Sequence, residues 1–303
     1  MERGSSAGHS GMRKALVTRF EVGVGDRVLA VQVAGAGDGR PVFLLHGTPG
    51  SGSGPRPRSS VLYRQGIRLI SYDRPGYGGS TRLPNRRVVD AASDVRAIAD
   101  GLDLKRFAVV GRSGGGPHAL ACAAVLPHRV ERAAVLVGLA PWDAADLNWY
   151  EGMADENASK HVAADRGTAE AMHELRALAE QTAADPKSLI EALRTQMSGP
   201  DLRFMQSVHY RRLLTKSYAD ALRDGPYGWL DDILAFRRDW GFALDTIVPP
   251  VRLWHGAHDT FSPASHSRWL AQRIPRSEVH VQHDAAHFGA MEVLPRILKW
   301  LAA

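Results

Sequence analysis

The chain has 303 residues, 44% of them hydrophobic, enough for one large core or a core with an attached subdomain. Its 38 Lys and Arg against 32 Asp and Glu leave a net charge of +6. No run reaches five like charges and no nucleic-acid module accompanies the excess, so nucleic acid is excluded as a partner. The longest apolar run, near 133–141, falls well short of the roughly 20 residues that cross a bilayer, and no membrane partner is expected.

Residues 1–14, "MERGSSAGHSGMRK", hold no apolar stretch of signal-peptide type and read as a disordered leader. The one cysteine, Cys122, allows no intrachain disulfide and suits a cytoplasmic location. It lies among small residues in a helical pattern and reads as core packing.

Strands are predicted at 27–35, 41–47, 67–73, 107–113, 132–140, 251–259 and 278–284. The middle ones are apolar throughout, which is the pattern of strands covered on both faces. The first alternates more and fits an antiparallel edge. Helical spacing appears at 88–103, 115–127, 263–275 and 287–303. Strands alternating with helices predict an α/β fold with a doubly wound, mostly parallel sheet. From 142 to 246 no strand is predicted and the pattern is helical. The core is therefore assigned to 15–141 and 247–303, and 142–246 to an inserted helical cap. Trp142, Trp149, Trp229 and Trp240 lie in or beside that segment. They read either as cap packing or as inner-face residues toward a pocket, with Trp142 taken as a substrate-binding residue.

The stretch "VVGRSGGGPHALACAA" (109–124) runs from an apolar strand through Ser113 straight into a helix. So sharp a reversal strains the serine backbone and leaves no room for neighbouring Cβ atoms, which accounts for Gly111, Gly114 and Gly115. The turn sets the hydroxyl at a helix N-terminus, where unpaired N–H groups favour developing negative charge.

With this context the sequence resembles the α/β-hydrolase superfamily, from about residue 20 onward. "HGTPGSGSG" (46–54), "YDRPGYGGS" (72–80), "HGAHDTFSP" (255–263) and "HDAAHFGAME" (283–292) carry the rest of the likeness. The resemblance implies a Ser, Asp, His order: Ser113 as nucleophile, Asp259 as orienting acid and His287 as base. His283 remains open as the base and Asp284 as the acid. His280 is expected to point into packing, and Asp73 to anchor the turn that follows it. The oxyanion donors implied are the backbone N–H groups of Thr48 and Gly114, with the Thr48 hydroxyl as a further donor. Arg112 reads either as packing against neighbouring loops or as a positive charge that favours acidic substrates. The Gly/Ser/Pro-rich loop 50–60 is expected to border the pocket entrance. His255, His258 and Asp259 match no metal-ligand spacing, so no metal and no cofactor is expected.

A serine at 113 separates the chain from the superfamily branches that use aspartate there, the haloalkane dehalogenases and epoxide hydrolases. The implied activity is hydrolysis of an ester, or an amide as in the similar proline iminopeptidases, of a small-molecule substrate through an acyl-enzyme. Two alternatives stay open: an acyltransferase or cyclase using the same triad, and a non-catalytic ligand-binding protein.

Overall fold

The computed structural model describes residues 17–303, so the leader assigned to 1–14 lies outside the described residues. In chain order the elements are β1 (Thr18–Val24), β2 (Arg27–Gly35), β3 (Arg40–Leu45), α1 (Ser59–Arg64), β4 (Ile67–Tyr72), α2 (Asp90–Gly101), β5 (Phe107–Arg112), α3 (Gly115–Val125) and β6 (Val130–Leu136). Six helices follow without a strand: α4 (Asp155–Arg166), α5 (Thr168–Ala184), α6 (Ser188–Arg194), α7 (Gly199–Phe204), α8 (Val208–Leu222) and α9 (Tyr227–Phe236). The chain closes with β7 (Val251–Gly256), α10 (Ala264–Ala271), β8 (Ser277–Gln282) and α11 (Ala290–Leu301).

The eight strands form one sheet in the order β1-β2-β4-β3-β5-β6-β7-β8. β2 pairs antiparallel with both β1 and β4, and every pairing from β4 to β8 is parallel. β2 is therefore antiparallel as expected but not the edge. The edge is β1, a half-exposed strand that the predicted set lacks.

Side-chain alternation in the central strands feeds two separate cores. Phe43, Leu45, Val109 and Val135 pack on one face with Val95 and Ile98 of α2 and Leu120 of α3. Val42, Leu44, Val110, Ala134 and Leu136 pack on the other with Leu62 of α1 and Ile297 and Leu298 of α11. Apolar residues on both faces of these strands are thus the direct consequence of helices on both sides. The inserted helices α4–α9 build a third cluster, including Leu175, Leu189, Leu214 and Trp229, which Phe261, Phe288 and Met291 of the sheet side join. Among the described residues no helix is long and apolar enough to cross a membrane.

Candidate active site

Ser113 follows β5 directly and has φ +53°, a left-handed conformation that costs a non-glycine residue on the order of 1–3 kcal/mol. Its N–H donates to the Leu136 carbonyl at 2.8 Å, and its carbonyl accepts the Gly116 N–H at 2.8 Å. The turn closes so tightly that a Cβ on Gly111 would lie 2.0 Å from the Gly115 carbonyl oxygen. His118, one turn into α3, donates from Nδ1 to the Gly114 carbonyl at 2.7 Å. Burial pushes its pKa down to about 3, so the imidazole is neutral.

Asp259 lies three residues past β7 and His287 five past β8, at the same sheet edge as Ser113. His287 Nδ1 donates to Asp259 Oδ2 at 2.8 Å, which leaves Nε2 as the acceptor nitrogen. Asp259 is buried, and its Oδ1 accepts the N–H groups of Phe261 at 2.8 Å and Ser262 at 3.0 Å. His255 Nε2 approaches Oδ2 at 3.2 Å while donating to the Ser262 carbonyl at 2.5 Å. Burial alone would raise the Asp259 pKa, but the His287 and His255 imidazoles outweigh it and hold the carboxyl below its usual range. The Asp259 carboxylate therefore stays ionised against the His287 ring, the arrangement that stabilises a proton arriving on that imidazole.

Thr48 lies against the serine turn: a Cβ on Gly114 would meet its Oγ1 at 2.2 Å. Among the described residues neither the Thr48 nor the Gly114 N–H is taken up by another backbone group. The Thr48 hydroxyl, expected as a further donor to substrate, instead donates to Asp232 Oδ2 at 2.5 Å. Asp232 comes from α9 and is fully buried. It also binds Arg74 Nη2 at 2.5 Å, Arg86 Nη2 at 2.6 Å and the Tyr77 hydroxyl at 2.8 Å. Burial opposes its ionisation, yet the two guanidiniums prevail and keep it charged. Arg74 completes the clamp by donating to the carbonyls of His46 and Gly47. Neither Asp232 nor Arg74 stands out in the sequence, because their partners lie up to 184 residues away.

Ser113, His287, Thr48 and Gly114 line one cavity with Arg112, and the inserted helices supply much of its wall through Asn157, Lys160, Tyr218 and Trp229. About 80 Å³ is open to the centre of a water molecule, room for on the order of six waters. Trp142 is not among the lining residues; it is 44% exposed, with the Arg237 guanidinium 5.7 Å over its ring. Its assignment to substrate is therefore corrected, and Trp229 is the tryptophan at the cavity. Trp149 packs on His161 and His266, and Trp240 joins the sheet core.

The rival residues fall elsewhere. His258, His280, His283 and Asp284 are exposed, so His280 does not pack inward as expected. Asp73 accepts the N–H groups of Gly52 at 2.7 Å and Gly79 at 3.0 Å, bracing the turn after β4. Loop 50–60 does not border the cavity; Ser51 and Ser53 are buried, Ser51 against Ser217 and Ser53 against Asp220. Among the described residues no cluster of three or more His, Cys, Asp or Glu is placed to hold a metal ion.

Comparison with known proteins places the same fold over the same span. The family model for the alpha/beta hydrolase fold matches residues 40–293. A pimeloyl-[acyl-carrier protein] methyl ester esterase of Aromatoleum aromaticum is 30% identical over 262 residues, covering 81% of this chain and 90% of that protein. A 2-hydroxymuconate semialdehyde hydrolase of Pseudomonas putida is 27% identical over 268 residues, 87% of this chain and 86% of the relative. Among solved structures, an alpha/beta hydrolase fold protein from Nakamurella multipartita superposes with a TM-score of 0.68 at 24% identity, covering 94% of this chain and 99% of that one. The sheet order, the strained serine turn and these matches together establish that the chain belongs to the alpha/beta hydrolase fold family.

Proposed function

We propose that the protein is a serine hydrolase that cleaves an ester of a small organic acid through an acyl-enzyme at Ser113. The observation that carries this reading is the His287–Asp259 hydrogen bond of 2.8 Å, with His287 and the strained Ser113 lining one cavity. In the first step Ser113 Oγ bonds to the carbonyl carbon and its proton passes to His287 Nε2. Asp259 stabilises the imidazolium, and the Thr48 and Gly114 N–H groups receive the oxyanion. His287 then protonates the departing alcohol oxygen as its bond to carbon breaks. Water, deprotonated by the same imidazole, then bonds to the acyl carbon; the bond to Ser113 Oγ breaks, His287 returns the proton to Oγ, and the acid departs.

The inserted helices act as a cap that shields this cavity from bulk water. Its limited volume favours a short acyl chain. The name of the Aromatoleum relative, a methyl ester esterase, supports an ester over an amide.

The test is turnover of 4-nitrophenyl esters of increasing chain length by the wild type and by Ser113→Ala. The wild type should cleave the short esters, and the variant should lose about 10³-fold or more in kcat while keeping its circular dichroism spectrum. Undiminished turnover in the variant overturns the assignment.

A further inference from the structure

The cavity beside Ser113 carries an unbalanced charge. Arg112 and Lys160 both line it, and no Asp or Glu is among its lining residues. Arg112 ends β5 next to the serine. Among the described residues its guanidinium has no carboxylate within 4.0 Å, and the titratable neighbour that acts on it is the Tyr218 phenol, another lining residue. Burial lowers the guanidinium's pKa, the mark of a charge short of compensation.

Lys160 lines the same cavity from α4 and is 8% exposed. Its ammonium donates to the Glu156 carbonyl one turn earlier, which leaves two N–H bonds uncommitted. The carboxylates of Glu156 and Glu174 act on it from beyond 4.0 Å, and burial outweighs them. His161, the next residue, is 3% exposed and lines the same cavity, with Nδ1 unpartnered among the described residues. Asn157 spends its Nδ2 on the Phe261 carbonyl at 2.7 Å. Lys160 is buried and Arg112 half-buried, and cations drawn away from water without a counter-ion carry a cost that is relieved when an anion enters the same space.

We propose, on the basis of the acyl-enzyme reading above, that the ester substrate itself bears a carboxylate, held in the cavity by Arg112 and Lys160. Catalysis then requires the charged end to be bound while the carbonyl lies at Ser113. A neutral ester of the same shape leaves both cations uncompensated and forms the weaker complex.

Two matched ester pairs test this. Mono-4-nitrophenyl succinate against 4-nitrophenyl butyrate puts the charge on the acyl side; 3-carboxyphenyl butyrate against phenyl butyrate puts it on the alcohol side. The charged member of one pair should be favoured in kcat/KM by about tenfold or more. Lys160→Met and Arg112→Met should each cut that ratio by about fivefold or more, and Lys160→Arg should restore most of it. Preference for the neutral member in both pairs, or a ratio unmoved by both methionine variants, overturns the inference while leaving the hydrolase reading intact.

Calorimetry of Ser113→Ala with monomethyl succinate and methyl butyrate decides the charge preference without turnover. Tighter binding of the charged member of this pair, or of 3-carboxyphenyl butyrate over phenyl butyrate, weakened by Lys160→Met in the same background, supports the inference; equal affinities within both pairs contradict it. Absence of ester cleavage by the wild type counts against the acyl-enzyme reading alone, since the calorimetry stands apart from it.

Discussion

Asp201 of α7 accepts the backbone N–H of His287 at 3.2 Å through Oδ2, while its Oδ1 takes that of Phe288 at 2.8 Å. An inserted helix thus holds the loop that presents the proposed base. Burial pushes the Asp201 pKa up to about 6, against the lowering effect of His287 and the two N–H groups. A folded-state value above the ordinary carboxyl range means that the native state binds this proton more tightly than the unfolded chain. The linked stability is fully present below the unfolded pKa and is lost as pH rises through about 6. Relative to the wild type, the uncharged Asp201→Asn should therefore gain about 2 kcal/mol between pH 4 and pH 7.5, whatever its absolute stability. Urea denaturation of both proteins at the two pH values measures this gain. A stability difference that stays constant with pH contradicts it.

Asp232 binds Arg74 and Arg86 in a site closed to solvent and ties both to the Thr48 hydroxyl. Asp232→Ala leaves two guanidiniums buried without a counter-charge, which should cost about 3–5 kcal/mol. The same change frees the Thr48 loop, so kcat on a short ester should fall in the fraction that still folds. Denaturant midpoints and steady-state kinetics report the two effects. A loss below about 1 kcal/mol, well under the range for broken buried pairs, would show that the clamp is not needed.

Asp259→Asn keeps the size of the side chain but favours the wrong imidazole tautomer, and kcat should drop by about 10³–10⁴-fold with the fold preserved. His287→Ala should lose a comparable amount. His283→Ala, at an exposed position, should stay within about twofold of the wild type, as surface changes commonly do. Steady-state rates of the three variants on one short ester check the assignment, and a damaging His283→Ala reverses the choice of base.

Much of this architecture was legible because it is local. The uninterrupted apolar runs of β3, β5 and β6 and the glycines around Ser113 encode strand, turn and helix within about twenty residues. Asp259 and His287 could be placed because each follows a readable strand. The half-exposed "TRFEVGV" of β1 lacks such a run, and its pairing with β2 had no comparable signal.

In the inserted helices local pattern fails for another reason. In α9 every residue from Gly228 to Phe236 is buried, so spacing cannot say which side meets the cavity and which the core. Nothing in the local pattern therefore marks Trp229 rather than Trp142 as the residue at the cavity. It is also why Asp232, the second of two adjacent aspartates, carries no sign of the two arginines more than 140 residues before it. Asp201 is equally unmarked in the sequence, since its partners lie 86 and 87 residues further along the chain.

The most direct measurement is covalent labelling of the intact protein with a fluorophosphonate, followed by peptide mapping. The adduct should sit on Ser113 alone, and labelling should be slowed by His287→Ala or by prior incubation with a short ester. An adduct on another serine, or none on a folded protein that still turns over ester, would contradict the account.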